Sequence, residues 1–158
     1  MSSFPWLTTL ILLPLLGAVV LWALPRPVAR GELTYSPGIP VPGPRRAREV
    51  ALAFALVELV ATILAIVAFD TGNAGAYQLT ETHSWIPAFG VSYAVGVNGV
   101  GLVLIAMSAV LVPLVVLAAW REQGSDSAAT DRLRQYLALV LLLQAFIVAV
   151  FAARDLFL

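Results

Sequence analysis

Glu58 is the residue best placed to do chemistry in this 158-residue chain. It lies near the middle of an apolar run, where an ionised acid costs about 3 kcal/mol on insertion scales and more by simulation. Such a carboxyl must be protonated, paired or turned toward protein. Thr62 follows one turn later on the same helical face. One reading makes Glu58 a proton-path carboxylate. The other makes it a neutral acid hydrogen-bonded to a neighbouring helix, and the lack of a partner base in the apolar runs favours this second reading. Gln144, also inside an apolar run, cannot titrate, and its expected role is an interhelical hydrogen bond worth on the order of 1 kcal/mol. Pro14 and Pro113 each remove an i→i−4 bond and are expected to kink their helices. His83, the only histidine, is a candidate pH-sensing group by residue type. As a single histidine in a polar stretch it reads as a surface or interface residue. Asn98 precedes an apolar run and is a good N-cap, because its side-chain oxygen accepts from the free first-turn N–H groups. There is no nucleophile–base pair, no phosphate-cradling glycine loop and no metal-ligand spacing, so neither a catalytic residue nor a metal site is expected.

The elements that must position these residues are membrane helices. The chain is 61% apolar and only 11% charged, against about half and a quarter in soluble domains. Its mean hydropathy is +0.94. Cysteine is absent, which excludes disulfides and thiolate metal sites. Net charge is zero, which gives no broad attraction to nucleic acid. All nine basic residues are Arg, for which there is no functional account. Four runs match the roughly 20 residues that cross a bilayer core: 7–24, 50–69, 100–120 and 133–153. Trp6 and Trp22 bracket the first at about 24 Å, the spacing of two interfacial belts. That run has no basic segment before it and no small-residue cleavage site after it, so it reads as a retained span rather than a signal peptide.

The loops orient these spans. Arg26, Arg30, Arg45, Arg46 and Arg48 lie between the first two, and Arg121, Arg132 and Arg134 between the last two. The 70–99 loop has no Arg and carries Asp70 and Glu81. The positive-inside rule then places loops 25–49 and 121–132 in the cytoplasm, with the N-terminus and loop 70–99 outward. Arg154 is the exception, with Asp155 beside it. The stretch from Pro25 to Pro44 has six prolines and three glycines and reads as a semi-extended linker.

The Tyr77–Gly101 stretch, YQLTETHSWIPAFGVSYAVGVNGVG, has four aromatics and no Lys or Arg. Tyr77-Gln78, then His83-Ser84-Trp85-Ile86-Pro87-Ala88-Phe89-Gly90, then Tyr93, Gly96, Asn98 and Gly99 resemble the subunit M family of the bacterial proton-pumping NADH–quinone oxidoreductase, respiratory complex I. There a W-I-P-x-F-G segment leads into a G-x-D-G opening of the third helix. The similarity continues through Trp120 and from Val150 to Leu158. It is loose in 1–76. The W-I-P-x-F-G segment is fairly specific; the helix-opening motif is shared by related antiporter-like subunits. Three positions depart from the family: Asn98 replaces the usual Asp, Gly101 stands where alanine or a small polar residue is common, and Arg154 replaces an apolar residue and needs a partner.

The resemblance implies an all-α integral membrane protein: the N-terminal part of an antiporter-like subunit of roughly fourteen helices, each of about 20 residues. It implies a bacterial plasma-membrane location, neighbouring membrane subunits as partners, and a share in proton translocation coupled to electron transfer from NADH to quinone. FMN, iron–sulfur clusters and quinone are expected in other subunits, and no cofactor on this chain. The family's pumping residues lie on later helices, expected beyond Leu158, so none is carried over onto a position of this sequence. Residues 154–158 read as the start of a further helix, and the chain as a fragment or split gene product. These four spans would then mainly provide scaffold and subunit contacts. The alternatives are the D-type subunit of a multisubunit cation/proton antiporter, and a self-contained four-helix assembly protein.

Overall fold

Apolar runs of membrane length fold as helices because only an element that bonds all its own backbone groups survives without water. The computed structural model describes residues 4–24, 44–86, 91–121 and 127–154. It contains four such helices: α1 Trp6–Ala23, α2 Pro44–Ala68, α3 Gly99–Ala118 and α4 Ser127–Ala152. All four are long and apolar enough to cross a membrane. The shortest, α1, rises about 27 Å at 1.5 Å per residue. α1 continues through Pro14 and α3 through Pro113, and both prolines are buried.

Two of the expected loops are shorter than the hydropathy suggests. α2 begins at Pro44 rather than Val50, so 44–49 is helix and not linker. Proline is favoured in a first helical turn, where its missing N–H would be unbonded anyway. Arg45 and Glu49 then pair across one turn at 3.2 Å, and Ala47 and Ala51 extend the buried face. α4 likewise begins at Ser127 rather than Leu133, with Asp131 bonded to Arg134 and Gln135. Apolar run length reports membrane thickness, whereas a helix can continue into polar turns. The expectations for residues 25–43 and for Pro87, Phe89 and Gly90 lie outside the described residues. So do residues 155–158 of the further helix expected from Arg154 to Leu158.

The 70–99 segment is not an irregular loop. A 3-10 turn (Thr71–Asn73) leads into an antiparallel hairpin, β1 Gln78–Ile86 and β2 Val91–Val97. Val91, Tyr93, Val95 and Val97 alternate with smaller residues, the period of a half-buried strand. Val95 and Val97 are fully buried. Leu79 has φ 51° and lies in the register shift between Gln78 and Glu81. Such bulges re-aim the following side chains. The edge of β2 is met by the end of α4, where Val95 bridges Ala153 and the Arg154 N–H donates to the Ala94 carbonyl at 3.1 Å.

The buried side chains form two apolar layers. One, at the hairpin end, joins Leu7, Leu10, Ala65, Phe69, Leu102, Ile105 and Val148 to Val95 and Val97. The other, at the far end, joins Ala18, Leu21, Ala51, Val116, Leu137 and Leu141. Close approach between α1, α2 and α4 depends on Gly17: a Cβ there would stand 2.8 Å from both Leu141 Cδ1 and Phe54 Cγ. The remaining large apolar side chains, among them Val67, Val100, Val103 and Leu143, point outward. That is the pattern of a bundle facing lipid or further helices.

Candidate functional site

Between the two apolar layers lies a polar layer at mid-span. Glu58 and Thr62 come from α2, Ser108 from α3 and Gln144 from α4, and all are buried. Glu58 lies midway between Ala47 and Phe69, the buried residues at the two ends of its stripe, about 16 Å from each by helical rise. This is mid-span for a roughly 30 Å hydrocarbon core. The Thr62 hydroxyl donates to the Glu58 carbonyl at 2.9 Å, and the Ser108 hydroxyl donates to the Ile105 carbonyl at 2.8 Å. The Gln144 amide donates to Ser108 Oγ at 3.3 Å. The Gln144 side chain also stands beside the Glu58 carboxyl. Neither Glu58 carboxyl oxygen nor Gln144 Oε1 meets a partner at bonding geometry among the described residues. The sequence placed Glu58 and Gln144 in separate spans; the fold brings them together. Pumping residues expected beyond Leu158 have no position in this sequence. The other buried polar residues among the described spans, Arg48, Thr130 and Arg134, lie near the helix ends at the far side of the bundle.

A second arrangement was not visible in the sequence. α1 carries no charged residue, no capping side chain at its start, no acid in its first turn and no base in its last. Both ends are instead completed by other elements. At the N-terminus Glu81 of β1 accepts from the Leu7 N–H at 2.8 Å, from the Thr8 N–H at 3.4 Å and from the Thr8 hydroxyl. Tyr93 of β2 meets the same hydroxyl at 3.1 Å. At the C-terminus Arg134 of α4 donates to the carbonyls of Leu24 at 2.5 Å and Trp22 at 3.2 Å, and to Asp131 at 2.7 Å. An acid at the positive end of a helix and a base at its negative end are each favourable. Glu81 and Arg134 had read as loop charges that set orientation. Arg134 is in fact only 5% exposed. The signal available in the sequence was the bareness of α1 itself.

The hairpin is held at its other corners too. Gln78 folds back on the 3-10 turn, accepting from the Asp70 N–H and donating to the Asp70 and Asn73 carbonyls at 2.8–3.0 Å. The Arg154 guanidinium lies 4.8 Å from the centre of the Tyr77 ring. This cation–π contact supplies the partner that the departure at Arg154 required. A Cβ at Gly96 would collide with the Arg154 side chain. Asn98 caps α3, its side chain accepting from the Gly101 N–H at 2.8 Å. The Gly99 N–H donates to the Ala74 carbonyl at 2.8 Å, where a Cβ would also crowd Ala74. Trp85 and Ile86 belong to β1, and His83 pairs in register with Tyr93. No group of three His, Cys, Asp or Glu able to hold a metal occurs among the described residues. The arrangement can lock helices together; among the described residues it places no chain of titratable groups across the spans.

No protein-family model matches the chain. Among curated proteins, it is similar to NADH-quinone oxidoreductase subunit M of Mycobacterium tuberculosis, with 37% identity over 122 residues, 77% of this chain and 19% of that protein. It is 32% identical to NAD(P)H-quinone oxidoreductase chain 4 1 of Thermosynechococcus vestitus over 155 residues, 98% of this chain and 26% of that protein. It is 36% identical to F(420)H(2) dehydrogenase subunit M of Methanosarcina mazei over 100 residues, 63% of this chain and 19% of that protein. The chain spans 19% of the length of the first of these relatives and 26% of the second. Four membrane-length helices and this similarity along nearly the whole sequence agree: the chain belongs to the subunit M/chain 4 family of quinone oxidoreductases and matches a part of its members.

Proposed function

We propose that this chain serves in the membrane arm of a proton-translocating NADH–quinone oxidoreductase of a bacterial plasma membrane, as structural scaffold rather than as the path of the proton. Redox groups would lie in other subunits, and neighbouring antiporter-like subunits would be its partners. The observation that carries the scaffold role is the isolation of Glu58. It is 2% exposed, lies between two apolar layers and is the only acidic or basic residue from 50 to 120 within a span. A proton relay needs successive titratable or hydrated groups, and α1, α3 and the apolar part of α4 supply no charged one. The charged residues at the helix ends, Glu81 and Arg134, instead hold α1 in place. The N-terminus and hairpin would face outward, by the excess of Arg in the opposite loops.

Affinity purification of this chain from its native membranes tests the assignment. Co-purification of NADH:quinone oxidoreductase activity with other membrane subunits is expected. Recovery of the chain alone, or with an antiporter lacking that activity, would overturn it.

A further inference from the structure

We propose that Glu58 and Gln144 form a neutral carboxylic acid–carboxamide pair, its proton held as part of the fold, that ties α2 to α4 at mid-span with Ser108 of α3 as its third member. The argument is one of donors and acceptors and does not depend on the parent complex. The Ser108 hydroxyl hydrogen is committed to the Ile105 carbonyl, and the Thr62 hydroxyl hydrogen to the Glu58 carbonyl. Ser108 Oγ can therefore only accept from the Gln144 side chain. Gln144 must present its nitrogen to Ser108, as it does at 3.3 Å, and its Oε1 is left without a donor. One N–H of the amide remains.

A carboxylate at position 58 would offer two oxygens with about four acceptor sites to that single neutral N–H. No Lys or Arg lies in α1, in α3, in α2 beyond Arg48 or in α4 beyond Arg134. An ionised acid would stay uncompensated in an apolar interior. A carboxylic acid reverses the count. Its O–H donates to Gln144 Oε1, and its carbonyl oxygen accepts the remaining amide N–H. Two antiparallel hydrogen bonds then satisfy all three oxygens that otherwise stand alone: Glu58 Oε1, Glu58 Oε2 and Gln144 Oε1. The proton is shared between two side chains that are only 2% and 1% exposed. The pair is a charge-free clasp, and it accounts for an acid in a span without giving it transport work.

Infrared absorption of the full chain in lipid bilayers at neutral pH tests this. The spectrum of wild type minus Glu58→Gln is expected to contain a carboxylic-acid C=O band and no carboxylate stretch. In Gln144→Leu the same band should move to higher wavenumber, because the acid loses its partner. Carboxylate stretches in the first difference spectrum would overturn the proposal. So would an unshifted acid band in Gln144→Leu, which would mean that the amide is not the partner. Glu58→Gln changes one atom and keeps the side-chain volume, so the first comparison is available whatever the second variant does. Should Gln144→Leu fail to insert, Gln144→Met makes the same comparison with an unbranched side chain.

Discussion

Removing the carboxylate of Glu81 should loosen α1 from the bundle although the residue lies in a strand far from it in sequence. Glu81 accepts a 2.8 Å bond from the Leu7 N–H and a second from the Thr8 hydroxyl, while its 3.4 Å contact to the Thr8 N–H is too long to count for much. A hydrogen bond to a charged group contributes about 1.5–3 kcal/mol. An acid at a partly buried helix start contributes up to about 2 kcal/mol. These describe the same contact from two sides and are not added. Glu81→Ala should therefore cost about 2–3 kcal/mol, roughly 30- to 150-fold in the folding equilibrium. Glu81→Gln keeps an acceptor for Leu7 but loses the charge, and puts in place of Oε2 an NH2 that can only donate to the Thr8 hydroxyl, so about 1–2 kcal/mol is expected. Titration of the full chain with SDS in mixed micelles, followed by far-ultraviolet circular dichroism, measures both. Thr8→Val should be non-additive with Glu81→Ala, since each removes the same bond. A Glu81→Ala variant within about 0.5 kcal/mol of wild type, or a Gln variant as unstable as the Ala variant, would refute the reasoning.

Other sites give further tests. Arg134→Met strips the donors from the Leu24 and Trp22 carbonyls and should cost about 2–3 kcal/mol in the same titration; Arg134→Lys should recover only part, because one ammonium cannot span both α1 and Asp131. Asn98→Ala removes the α3 cap at about 1 kcal/mol. Asn98→Asp keeps the acceptor and adds a charge at the favourable helix end, so a gain of about 0.3–1 kcal/mol is expected. A cysteine introduced at the exposed Asn73, beside the hairpin, should react with an impermeant thiol reagent from outside the cell; labelling only from the cytoplasmic side would reverse the orientation.

The spans were legible because hydropathy over 20 residues is a bulk property that needs no knowledge of neighbours. The Asn98 cap was legible for the same reason: an N-cap acts on its own first turn. Tyr77–Gly101 was legible as a family mark but not as a hairpin, although the alternation of Val91, Tyr93, Val95 and Val97 was there to be read. What local reasoning could not reach depends on which helices are neighbours and how each is rotated. Glu58 and Gln144 stand 86 positions apart, and nothing in either span says that they face one another. Glu81 and Arg134 were counted as charges that orient loops. Their contacts to Leu7 and Leu24 exist only after the hairpin and α4 dock on α1. A span with no caps of its own is a request for partners elsewhere, and α1 makes that request at both ends.

The central claim is that this part of the subunit holds the structure together while protons move elsewhere. Proton translocation per NADH oxidised, measured in vesicles that carry the assembled complex with Glu58→Gln, tests it most directly. The account predicts a ratio equal to wild type, since an amide at 58 can still bond the Gln144 amide. A large loss of translocation in a fully assembled complex that still oxidises NADH would contradict it and would make Glu58 part of the proton path.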